Sequence, residues 1–105
     1  MAETTYDYLY RNCRSIVDTL EAEEPDHAAT LIDDALDIQF IVSTNGGYMG
    51  AKILVAFGGP NIWVDTRFDE VTGSWGTDSI ILRFTDTHDI HAHCEGLYQS
   101  MMGII

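Results

Sequence analysis

The feature that most constrains the fold is a change of hydrophobic period at Ile38. Before it, Tyr6, Leu9, Tyr10, Cys13, Ile16, Val17 and Leu20 recur at i, i+3, i+4 and i+7, the spacing of one helical face. After it, Ile38, Phe40 and Val42 alternate with Gln39, Ile41 and Ser43, the two-residue period of a strand. The first helix has Thr4 or Thr5 as its cap and Asp7 in its first turn, where a carboxylate suits the helix dipole. It ends in Glu21-Ala22-Glu23-Glu24-Pro25, because proline disfavours helix at the residue before it. Pro25 then suits the first turn of a second helix, with Ala28, Leu31, Ile32, Ala35 and Leu36 as its apolar stripe.

The remainder reads as a meander. Asn45-Gly46-Gly47 is a hairpin turn, since Asn and Gly accept the positive φ that tight turns require. A strand follows over Tyr48 to Phe57, with Ala51, Ile53, Val55 and Phe57 on one face. Gly58-Gly59-Pro60 turns the chain into a strand over Asn61 to Arg67, with Trp63, Asp65 and Arg67 on one side. After Phe68-Asp69-Glu70 a strand begins at Val71, and Gly73 and Gly76 suggest a bulge or break before Ser79 to Phe84. The last helix is predicted over Thr87 to Met102, with Ile90, Cys94, Leu97, Tyr98 and Met101 as its stripe. Short turns make consecutive strands antiparallel. The expectation is therefore one α+β domain over 1–105: two N-terminal helices, an antiparallel sheet of four or five strands and a C-terminal helix. Either the helices all cover one face, leaving Ile41, Leu54, Trp63 and Ile81 for a second copy or partner, or helices pack on both faces.

Charge narrows the function. The chain has 17 Asp and Glu against 5 Lys and Arg, a formal charge of −12. This disfavours direct binding to nucleic acid or an anionic membrane. No apolar run approaches the roughly 20 residues of a membrane span, and the N-terminus lacks the pattern of a signal peptide. Two cysteines, Cys13 and Cys94, make no disulfide framework. The reading is a soluble cytoplasmic protein with buried thiols. The segment from Asp18 to Asp37 holds eight acids and no Lys or Arg. Glu21, Glu23, Glu24, Asp26, Asp33, Asp34 and Asp37 would then form a negative surface resembling a phosphate backbone, attractive to a basic nucleic-acid-binding protein. The plainer reading is a solvated face that aids solubility. Trp63 is the candidate aromatic anchor, and Asp65 beside Arg67 a candidate ion pair or part of a binding surface.

Catalytic and metal patterns are weak. His88-x-x-His91-x-x-Cys94 has helical spacing, but Cys94 belongs to the apolar stripe, so surface histidines beside a core thiol are the plainer reading. No nucleophile elbow occurs, Gly58-Gly59-Pro60-Asn61 lacks the Lys and helix of a phosphate loop, and adjacent carboxylates diverge. No cofactor, metal or catalytic residue is assigned, and an enzyme is not expected.

The segments Asn45-Gly46-Gly47-Tyr48, Gly58-Gly59-Pro60-Asn61-Ile62-Trp63-Val64-Asp65-Thr66 and Val71-Thr72-Gly73-Ser74-Trp75 resemble a family of short acidic proteins of phages and conjugative elements. The resemblance covers the central half of the chain and brings no catalytic residues. It implies an anti-CRISPR or anti-restriction type of inhibitor, some of which occupy nucleic-acid sites by charge mimicry. A non-enzymatic inhibitor or adaptor of a basic nucleic-acid-handling protein is thus the leading expectation. A dimeric structural or immunity-type module is the alternative, and a metal-dependent activity at the C-terminal helix is third.

Overall fold

The computed structural model describes residues 4–103. The elements are α1 (Thr5–Leu20), α2 (Pro25–Asp33), β1 (Asp37–Val42), β2 (Tyr48–Ala56), β3 (Asn61–Asp65), β4 (Glu70–Trp75), β5 (Asp78–Arg83) and α3 (Ile90–Met101). The strands pair in chain order as one five-stranded antiparallel meander, the α+β arrangement that the change of period predicts.

All three helices lie on one face of this sheet. Tyr8 of α1 packs edge-on against Trp75 of β4, and Tyr98 of α3 packs against Phe40 of β1. The core comprises Leu9, Cys13, Val17 and Leu20 of α1, Ala28 and Ile32 of α2, and Ile90 and Cys94 of α3. Ala51, Ile53, Ile62, Val64 and Val71 meet them from the sheet. The arrangement of one helix on each face is therefore overturned. Tyr6, Tyr10, Leu97 and Met101 belong to the predicted stripes but stay exposed, because the helices bury a narrower strip than the periodicity marks out.

Local chemistry fixes the element ends. Thr4 caps α1 reciprocally with Asp7: the Asp7 N–H donates to Thr4 Oγ1 at 3.0 Å, and the Thr4 N–H to Asp7 Oδ2 at 3.3 Å. Pro25 occupies the start of α2 as its fixed φ favours. That helix stops at Asp33, short of Ala35 and Leu36. Carboxylates at Asp33 and Asp34 oppose the negative end of the helix dipole, and the Leu36 N–H instead donates to Leu54 O in the sheet. Likewise α3 begins at Ile90, not Thr87. Asp89 is left-handed (φ 56°), and the Asp86 carboxylate accepts from the N–H groups of Ile90 (2.7 Å) and His91 (3.1 Å).

Two strand expectations are corrected. In β2 the register shifts between Leu54 and Ala56, so Ala56 pairs with Ile62 and Phe57 is turned out, 75% exposed. The strand through Gly73 carries no bulge, while the break expected before Ser79 stands after Trp75, where β4 ends. Gly76 (φ +62°) belongs to a two-residue hairpin turn, and Gly73 pairs in register with Ile62 and Ile80. Gly73 is glycine because α1 presses on it: a Cβ there would stand 2.4 Å from Cys13 Sγ and 3.0 Å from Leu9 Cδ1.

Candidate interaction surfaces

Six of the seven acidic residues sit on the helix layer. Glu21 follows α1, Glu23 and Glu24 form the connection, and Asp26 lies in the first turn of α2. Asp33 and Asp34 close α2, and Asp37 opens β1. All seven are exposed. Three are engaged within the fold: Glu21 accepts from the Thr85 N–H at 2.8 Å, Glu24 lies 4.0 Å from His27, and Asp37 accepts from Gln39 at 3.4 Å. Among the described residues, Glu23, Asp26, Asp33 and Asp34 carry no ion pair. The nine residues of α2 rise about 13 Å, so the carboxylates form a group at each end of this helix.

Trp63 and Asp65 lie elsewhere, on the sheet face that carries no helix. Antiparallel register puts side chains in rows across this face. One row is Gln39, Lys52, Asp65, Glu70 and Arg83; the next is Asp37, Leu54, Trp63, Thr72 and Ile81. Of the seven acids only Asp37 shares a row with Trp63. A single contact patch therefore does not contain both the acids of α2 and the tryptophan.

Asp65 is 5% exposed and is held by Arg67, whose Nε and one terminal nitrogen donate at 3.1 and 2.8 Å, with the Arg67 N–H at 3.0 Å. Burial pushes the Asp65 carboxyl up, but these hydrogen bonds and the charges of Arg67 and Lys52 outweigh it and hold the group below its ordinary 3.8. Gly50 makes this possible, since a Cβ there would lie 2.3 Å from Arg67 Cγ. The aromatic surface beneath Arg67 is Phe68, 4.8 Å away; the cation over Trp63 is Lys52, at 4.9 Å. Arg83 stands 3.7 Å from Glu70. Beside Trp63 lies a shallow depression of about 270 Å³, walled by Asn61, Thr72, Ser74, Ser79 and Ile81.

The sequence marks out Trp63, Asp65 and Arg67 on one strand face, but not that Lys52, Glu70 and Arg83 share a row with Asp65. The signal was available only through register, which the hairpin lengths set and the residue types alone do not. Three of the five bases, Lys52, Arg67 and Arg83, lie on this face opposite three acids, Asp37, Asp65 and Glu70. The open face is thus electrically balanced, and the excess of negative charge lies outside it.

The histidine motif disperses. His88 precedes α3 and bonds through Nε2 to Ala22 O, while Cys94 is wholly buried. His91 Nδ1 is 3.1 Å from Thr66 Oγ1, and the hydroxyl of Tyr48 donates to His91 O at 2.8 Å. Among the described residues no three His, Cys, Asp or Glu side chains are grouped to hold a metal ion. Burial pushes the Cys13 and Cys94 thiols up to about 11, so both are protonated at neutral pH. Burial likewise lifts the Asp69 carboxyl, helped by the charge of Asp86 and opposed by His91. No described helix is long and apolar enough to cross a membrane. Comparison of the chain with protein families, with curated proteins and with solved structures finds no match to any of them.

Proposed function

We propose that this chain is a non-enzymatic inhibitor or adaptor that binds a basic, nucleic-acid-handling protein in the cytoplasm, in the manner of the anti-CRISPR and anti-restriction inhibitors. The observation that carries the reading is the exposure of all seven carboxylates, four of them without an ion pair among the described residues. Over the roughly 13 Å of α2, one DNA strand presents about four phosphate charges, comparable with Glu23, Asp26, Asp33 and Asp34 at the two ends of this helix. A channel shaped for phosphates meets a similar density of negative charge here. Desolvated contact beside these acids falls to Leu36, 62% exposed between Asp34 and Asp37, because Trp63 is on the opposite side of the molecule. Association driven this way is fast and weakens steeply with salt.

The test is capture from nuclease-treated host lysate at low salt. The parent chain is compared with a variant carrying Glu23→Lys, Asp26→Lys, Asp33→Lys and Asp34→Lys, its fold checked by circular dichroism. The expected result is a nucleic-acid-binding protein retained by the parent, displaced by salt or competing DNA, and lost with the variant. Equal capture by the folded variant removes charge mimicry as the mechanism.

A further inference from the structure

We propose that the open face of the sheet is where two copies of this chain meet, sheet against sheet, about a two-fold axis that runs along β3. The number and order of the strands suggest the operator. Five strands in chain order place β3 at the centre. A two-fold along that strand keeps each row over itself and reverses the strand order, so β2 of one copy covers β4 of the other. Applied to the ionic row, this sets Lys52 of each copy over Glu70 of the other, and Gln39 over Arg83. Applied to the next row, it sets Trp63 against Trp63 on the axis, Leu54 against Thr72, and at the rim Asp37 against Ile81. Asp65 meets its own copy on the axis, but each is already neutralised by its Arg67. The face is self-complementary in the sense an isologous interface demands: what i offers to j, j offers to i.

Charge and area both allow it. Two copies of a −12 chain repel, yet this face carries as many bases as acids. Packing it inward leaves the acidic helix layers on the outside. Sheets pack about 10 Å apart, and a helix layer adds about as much on each side. The opposing acids are then separated by nearly four times the roughly 8 Å screening length at physiological salt. Five strands about 4.8 Å apart, each about six residues long, give about 480 Å² of sheet per copy, or about 1,000 Å² between two copies. That is the lower end of a specific interface. The expected dimer is one of micromolar affinity and little salt dependence.

The experiment is sedimentation equilibrium of the purified chain from about 1 to 500 μM, at physiological and at raised salt, with circular dichroism of every variant. Trp63→Ser is expected to weaken dimerisation about tenfold or more, as central contacts do, and Ile81→Asp, which would face Asp37 of the other copy, should weaken it as well. Lys52→Glu alone and Glu70→Lys alone should each weaken it. Their combination should restore it, because the swap preserves the reciprocal pair across the axis. A chain that stays monomeric throughout, or a dimer indifferent to both Trp63→Ser and Ile81→Asp, overturns the proposal. So does failure of the combined swap to recover in a folded variant. The lysine substitutions around α2 leave this face untouched, so loss of the inhibitor reading and loss of the dimer are separate outcomes.

Discussion

Gly73→Ala tests whether α1 seats directly on β4. An added Cβ would stand 2.4 Å from Cys13 Sγ and 3.0 Å from Leu9 Cδ1, both on side chains with no exposed surface. Comfortable non-bonded contacts are about 3.5–4.0 Å, so the helix and strand must part by about 1 Å, in an interior already packed near crystal density. Overpacking of this kind costs about 1–3 kcal/mol, and reduced unfolded-chain entropy on replacing glycine returns about 0.4–1 kcal/mol. The net expectation is a loss of about 1.5 kcal/mol, or a fall in Tm of roughly 6–12 °C for a domain of this size. Urea unfolding followed by tryptophan fluorescence measures it, at one fixed protein concentration because self-association adds to apparent stability. The mechanism also predicts a rescue. Cys13→Ala alone removes one buried sulfur and costs about 1 kcal/mol. In the double variant the new methyl takes the vacated space, so the two losses should fall short of adding by at least about 1 kcal/mol. A Gly73→Ala chain as stable as the parent, or strict additivity with Cys13→Ala, refutes the close approach of α1.

Two further outcomes follow from groups whose titration the fold displaces. Asp65 has a folded pKa below its unfolded one, so its pair with Arg67 contributes stability above about pH 3.8, and that contribution is lost as pH falls through the folded value. Asp65→Asn should cost about 2 kcal/mol at pH 7, under the range for fully buried pairs because the Arg67 side chain is 30% exposed. The difference from the parent should shrink steadily in acid-unfolding curves below pH 3.8, and a pH-independent difference would contradict the assignment. Cys13 and Cys94, with thiols pushed up to about 11, should resist a thiol reagent at pH 7.5 in the native chain and both react once urea unfolds it. Rapid labelling of either in the folded protein would show that the packing around it is looser than described.

The fold was legible where a single period or a single turn decides the backbone. The helical spacing to Leu20, the proline at 25, the alternation from Ile38 and Asn45-Gly46-Gly47 each act within a few residues, and each element stands where they point. Errors fell where a distant partner decides. Gly73 has the residue type of a bulge, yet its cause is Cys13, 60 positions earlier, pressing on an unbroken strand. Phe57 satisfies the alternation of β2, but the register shift after Leu54, seen only against β3, sends it to solvent. Asp86 caps α3 from outside the helix, so the boundary moved to Ile90.

The same distinction separates the two surfaces. The acidic stretch is a local property of the sequence, so its residues were found, but whether they share a face with Trp63 depends on which side of the sheet the helices choose. All three chose the side of Ile53 and Val64, and the consequence is a division of labour by charge. Exposed acids on the helix layer suit a long-range, salt-sensitive attraction. The balanced face has neither the excess charge to steer a partner nor the uninterrupted polarity of a sheet made only for water. A protein that used one surface for a basic target and the other for its own copy would present its acids twice, on opposite sides of a dimer. Two target sites within reach of that dimer would be engaged together, with avidity that each monomer lacks. Dimer-breaking Trp63→Ser would then weaken inhibition of a multivalent target much more than binding to a single isolated site. Equal loss in both assays would show instead that Trp63 serves the target contact itself.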